Sequence, residues 1–206
     1  HLRMMRSLPR GVWTSLALLV IALAVGVQFF WTRTSALNAP VAVWTQHNDN
    51  QRTGANLNET QLTTSTVTGA QFGKLFSYVL DADVYAQPLV IPNVAIAGKG
   101  THNVVYVVTM NNSVYALDAD DNKGNNGAPL WSVNLNNPAN GVIPVPAGDL
   151  EAGGNIRNPG PVGAMGTPVI DQATSTMYFV ARTRESNVYV QKLHALDIRS
   201  GAEKFG

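Results

Sequence analysis

After residue 36 the chain shows almost no helical periodicity in its apolar positions. Short β-branched and aromatic runs alternate with clusters of Gly, Pro, Asn and Asp, the pattern of an all-β protein. Asn103-V-V-Y-V-V-T-Met110 is almost continuously apolar, which predicts a strand covered on both faces. Asn111-Asn112 supplies a turn and Ser113-V-Y-A-L-Asp118 a second strand, so the two read as a hairpin.

The same phrases recur. Gln87-Pro88-Leu89-Val90 matches Thr167-Pro168-Val169-Ile170 at an offset of 80, and Val105–Val108 matches Met177–Val180 at 72. Tyr115–Asp118 matches His194–Asp197 at 79, and Pro129-Leu130-Trp131 matches Glu203-Lys204-Phe205 at 74. Lys74-Leu75-Phe76 is an earlier copy of the last phrase. Four matches in one order define a repeat of four short strands with loops of variable length. Such a repeat predicts a blade of a β-propeller, with four antiparallel strands per blade. The Q-P-L-V and T-P-V-I strands would be innermost, at a sheet edge where Pro88 and Pro168 can lack a donor. The Leu-Trp strand would be outermost. About 170 residues then hold two to three blades, an N-terminal partial set, because propellers close with at least four. The expectation is therefore an incomplete ring whose open faces favour association.

The N-terminus reads differently. Residues 1–10 form a basic region with Arg3, Arg6 and Arg10, and 11–32 are free of charge. That run is long enough to cross a bilayer as one hydrophobic helix, and Arg33 closes it. A signal peptide and an uncleaved membrane anchor fit equally, and the arginine asymmetry sends the rest of the chain outward. Periplasmic, secreted and inner-membrane-anchored placements follow. Residues 33–43 form a linker, and 44–206 hold the repeats. With 13% charged residues, a net charge of +1 and no Lys/Arg cluster, nucleic acid is not an expected partner. The absence of cysteine excludes disulfides and thiol chemistry.

The span Ala195-L-D-I-R-S-G-A-E-K-Phe205 resembles the tryptophan-docking repeat of pyrroloquinoline-quinone (PQQ) propellers, A-x-D-x-x-T-G-x-x-x-W, with Ser200 for Thr and Phe205 for Trp. Ala195 is small enough for close packing. Asp197 can accept backbone N–H bonds, and Gly201 can take a positive φ. The first copy keeps Ala116, Asp118 and Trp131 and adds five residues to the turn. The stretch from Trp44 through Arg52 to Phe72-Gly73-Lys74-Leu75 is similar to the opening of PQQ-dependent alcohol dehydrogenases and their non-catalytic relatives. More closely, 44–206 resembles a secreted bacterial group of PQQ-like repeat proteins of unassigned activity. The resemblance implies a binding or scaffold module with a protein or small-molecule ligand at the propeller mouth. Its alternative is the N-terminal part of a quinoprotein dehydrogenase holding PQQ and calcium and oxidising an alcohol or sugar.

Candidate chemistry is sparse. Asp118-x-Asp120-x-Asn122 alternates oxygen ligands as a calcium loop does, but Lys123 and Pro129 stand where a calcium hand needs Gly and a bidentate acid. The competing reading is a solvated Asx-rich hairpin loop. His47, His102 and His194 show no metal-ligand spacing. Gly98-Lys99-Gly100-Thr101 lacks the spacing of a phosphate loop. No catalytic group is evident. The insertion Asn136–Gly163, 28 residues with Asp149, Glu151 and Arg157, is the best candidate binding loop and is expected over one mouth.

Overall fold

A computed structural model describes residues 41–70, 72–123, 127–150 and 160–205. The basic region, the apolar run 11–32 and all but the last three residues of the linker lie outside them. Among the described residues no helix is long and apolar enough to cross a membrane.

The architecture is mostly β, in two antiparallel sheets of four strands. The first comprises β1 (Leu89–Ile96), β2 (Gly100–Val108), β3 (Ser113–Asp118) and β4 (Trp131–Asn134), in sequential order. Sequence order becomes spatial order because each turn is short enough to return the chain beside itself. Gly98 and Gly100 take positive φ in the β1–β2 turn, and Asn112 takes φ 55° in the β2–β3 turn, as the sequence required of Asn111-Asn112. A bulge at Pro92-Asn93 interrupts the β1–β2 ladder, where a proline ring could not donate.

The second sheet is built from β5 (Val142–Pro144), β6 (Val169–Asp171), β7 (Thr176–Glu185) and β8 (Val188–Asp197). β6 pairs with the first residues of β7 and β5 with its last, so the two short strands share one side of β7, and β8 runs along the other. The insertion expected to be a loop thus contributes a strand of this sheet. Its apolar Val142-Ile143-Pro144 lies along the Thr183–Glu185 end of β7, which is too long for β6 alone to cover.

The repeat is visible in the register. Leu89 pairs with Tyr106, and Tyr106 with Ala116; Val169 pairs with Tyr178, and Tyr178 with Ala195. These are the positions the sequence offsets equate. The outer copies agree as well. The Leu130 N–H donates to the Ala116 carbonyl at 2.8 Å, and the Lys204 N–H to the Ala195 carbonyl at 2.8 Å. Two expectations need correction. The inner strands begin one residue after Pro88 and Pro168, and β1 is not a bare edge, since the Val43 N–H donates to the Val90 carbonyl at 2.7 Å. Lys74-Leu75-Phe76 belongs to no strand.

One core lies between the sheets. Leu89, Val104, Tyr106, Val108, Val114 and Ala116 from the first meet Ile170, Met177, Phe179, Ala181 and Leu196 from the second, all buried. Burying this continuous apolar area is the main favourable contribution to the fold. Three polar contacts fix how the sheets meet. The Tyr106 hydroxyl and the Trp131 indole N–H both donate to the Ile198 carbonyl, at 2.8 and 2.9 Å. Gly201, at φ 75°, lies against the Trp131 ring so closely that a Cβ would stand 2.7 Å from Cε3. The chain entering at 43–44 ties the inner strands together, because the Trp44 carbonyl accepts from Ile170 N–H at 2.8 Å.

Gly201→Ala is expected to destabilise the protein by about 2 kcal/mol, from the strained φ and the overlap with Trp131. Trp131→Phe should cost about 1 kcal/mol, the net worth of one hydrogen bond. Midpoints of urea unfolding measure both, and the glycine variant should be the less stable.

Candidate functional site

The turn after β3 carries the acids singled out in the sequence, and each is engaged by its own surroundings. Asp118 Oδ1 accepts the N–H groups of Asp120 and Asp121 at 2.9 and 3.3 Å, an Asx turn of the kind that stabilises a tight reversal. Asp118 Oδ2 faces His102 Nδ1 at 2.7 Å. Asp120 Oδ2 accepts from the Asn103 side-chain amide at 2.8 Å. Asn122 is buried, and its amide donates to the Ser77 carbonyl at 2.7 Å. Among the described residues no three His, Asp or Glu side chains gather as a metal group. Asp118, Asp120 and Asn122 thus each have protein partners among the described residues, whereas a calcium ion takes about six to eight oxygens directed at one point.

The added residues instead build one wall of a cleft of about 390 Å³, faced by Tyr78, Lys99, His102, Asp118, Asp121 and Leu130. The β1–β2 turn makes the opposite wall. The Lys99 ammonium donates to the Leu130 and Pro129 carbonyls at 2.6 and 3.3 Å, tying the two walls together. The Tyr78 hydroxyl donates to the Asp121 carbonyl at 3.1 Å. The Gly98–Thr101 stretch therefore works as a turn that aims a lysine at backbone carbonyls.

His102 sits at the centre of this clip. Its Nε2 lies 2.9 Å from the Lys99 carbonyl, which can only accept, and Nδ1 meets a carboxylate. Both contacts are satisfied together by the imidazolium. The Lys99 carbonyl first, and Asp118 next, hold the His102 pKa above its ordinary value. With both nitrogens occupied, the ring is not placed to relay a proton to a substrate. Burial works to raise the pKa of Asp118, but the Asp120 N–H and His102 hold its carboxyl below the usual range.

The other histidines are separate. His194 Nδ1 faces Glu203 at 2.8 Å and the ring stacks on Phe179 with centroids 5.7 Å apart. His47 sits in a left-handed turn whose N–H donates to the Gln87 side chain. The motif residues of the repeat, Phe205 apart, face sheet junctions or turns. Ala116 and Ala195 are buried, and Asp197 accepts the N–H groups of Arg199 and Gly201. The Ser200 hydroxyl accepts from Ala202 N–H at 3.3 Å, and Phe205 is exposed. Of the insertion, Asp149 pairs with Arg184 at 2.7 Å, whereas Glu151 and Arg157 lie outside the described residues.

Sequence reading missed one cluster. Asp81 accepts from Thr109 and Asn111 at 2.9 Å each and from Ser113, so it caps the β2–β3 turn from 28 to 32 residues upstream. Burial opposes its charge, yet these donors, Ser113 foremost, hold its pKa down. Beside it, Asn112 is fully buried and donates to Asn136 and to the Arg182 carbonyl of β7 at 3.0 and 2.9 Å. The only sequence signal was turn chemistry at Asn111-Asn112, which says nothing of a partner in the next sheet.

His102 gains its partners on folding, and its pKa is raised. Its contribution to stability is therefore fully present below the unfolded value near 6.5 and lost as pH rises through the folded one. The melting temperature should fall across that window in the parent protein. His102→Gln should remove that part of the pH dependence, as thermal melts over a pH series would show.

No protein-family model, curated protein or solved structure matches this chain.

Proposed function

We propose that the chain is part of an exported β-propeller of the PQQ-like type, acting as a binding or scaffold module outside the cytoplasm. One observation carries this reading: the motif aromatic of the first copy and the motif turn of the second meet at the junction between the sheets. Trp131 rests on Gly201 and bonds the Ile198 carbonyl of the following copy, and the two copies share one strand register. A sheet that docks on the next by a turn-to-aromatic contact can be repeated round an axis, as propeller blades are. The basic region and apolar run at the N-terminus support export. Ligand contact is assigned to the rim, where turns rather than strands present side chains.

Asp118 and Asp120, the calcium candidates of this chain, are engaged by backbone amides, His102 and Asn103, which supports the scaffold reading over the dehydrogenase. If a quinone were held, it would supply the two-electron oxidation. The test is direct. PQQ and Ca²⁺ are added to the full chain, with absorbance and dye-coupled oxidation of alcohols and sugars as readouts. The expected outcome is no retained quinone, no turnover and no calcium-dependent rise in melting temperature. Saturable quinone binding with turnover would overturn the scaffold reading.

A further inference from the structure

A second, smaller cleft lies between the two sheets, at the end where β6 turns into β7 and β8 leaves its sheet. It holds about 170 Å³ and is lined by Trp44, Ile91, Asn93, Gln172, Ser175 and Arg199, among others. Its walls are the bulge of β1, the entering segment at Trp44, and the turns at 172–175 and 198–199. The repeat does not explain these residues. β1 runs for eight residues where β6 has three, so the bulge that carries Pro92 and Asn93 belongs to the first copy alone. Such bulges re-aim a side chain out of the ladder. Asn93 (φ 56°) and Ser175 (φ 52°) both hold left-handed backbone, which costs a non-glycine residue energy.

The lining is neutral and half apolar. Trp44, Ile91 and Ile198 supply apolar surface. Among the described residues, the side chains of Asn93, Gln172 and Ser175 and the indole N–H of Trp44 make no hydrogen bond to protein. Together they offer donors and acceptors without charge. The one charged group, Arg199, is closed on Asp197, with Nε 3.0 Å from Oδ1 and Nη2 2.6 Å from Oδ2. An ionic ligand therefore finds no free counter-charge. Drug-sized pockets begin near about 300 Å³, so this one takes a single ring. No carboxylate or imidazole lines it, so nothing there can take the proton that an alcohol loses on oxidation.

We propose that this cleft binds one ring of a neutral carbohydrate and releases it unchanged. A sugar ring is apolar on its C–H faces and carries hydroxyls round its edge, each both donor and acceptor. Those two surfaces match an indole with aliphatic neighbours and a set of amides and a hydroxyl that the fold leaves unused. This ligand class deepens the binding-module reading and rests on it; it assigns no role to a quinone.

D-Glucose, D-galactose and D-mannose are titrated singly into the full chain, kept in a zwitterionic detergent without sugar head groups because residues 11–32 are apolar. Saturation-transfer NMR reads binding, and the sugar recovered reads turnover. At least one sugar is expected to saturate with a Kd of about 1 mM, the range open to a ligand of about a dozen non-hydrogen atoms. Asn93→Gly keeps the left-handed φ and loses the amide, so it should weaken that sugar about fivefold with an unchanged melting temperature. Asn187→Gly makes the same change at φ 70° in the exposed β7–β8 turn and should leave affinity as it is. D-Glucuronate, a charged counterpart of glucose, should bind no better than glucose. No saturation by any of the three sugars up to about 100 mM, about a hundredfold above the expected Kd, overturns the proposal. So does an Asn93 variant that binds as the parent does. Tighter binding of glucuronate overturns the neutral class, and consumption of the sugar overturns its release unchanged. The scaffold reading is tested separately by quinone and calcium, so either can fail alone.

Discussion

The contact between Trp131 and the turn Asp197–Gly201 is the constraint on which the rest of the structure depends. An indole can approach a backbone this closely only where a Cβ is missing, which places glycine at 201. The same approach brings the indole N–H to the Ile198 carbonyl, already shared with the Tyr106 hydroxyl. Three groups from two copies then meet at one oxygen and one glycine. That meeting point sets the distance at which Leu89, Tyr106 and Val114 press on Ile170, Met177 and Leu196.

The hydrophobic effect alone would not fix this arrangement, because it is non-directional and tolerates sliding between two apolar faces. Buried polar groups remove that freedom, since a misplaced sheet would leave them without partners at a cost comparable to a lost hydrogen bond. Asn112 acts in the same way on the inner side, reaching the Arg182 carbonyl from the β2–β3 turn. Asp81 organises the β2–β3 turn within the first sheet, accepting from the side chains of Thr109, Asn111 and Ser113.

The acidic turn after β3 follows the same logic at the surface. Its carboxylates organise a loop five residues longer than its counterpart, which Lys99 and His102 clip to the preceding turn. The shorter copy at Asp197–Gly201 needs no such clip, since Arg199 and Gly201 close it locally.

The sequence by itself determined the strands of the two repeat copies and their order. Alternating apolar runs and turn residues act over a few positions, so Asn103–Met110 and Ser113–Asp118 could be paired from their spacing alone. It also determined the repeat, because equivalent positions in the two copies meet equivalent neighbours. Only the tertiary structure decided which polar residues were free. His102 and Lys99 showed no ligand spacing in the sequence, and Asp81 was not singled out, since their partners lie 16 to 32 residues away. The strand at Val142–Pro144 was likewise hidden, because three residues carry too short a pattern until β7 offers them an edge. Local periodicity is written in neighbouring residues, whereas the fate of a charge or a short strand is set by whatever the fold brings against it.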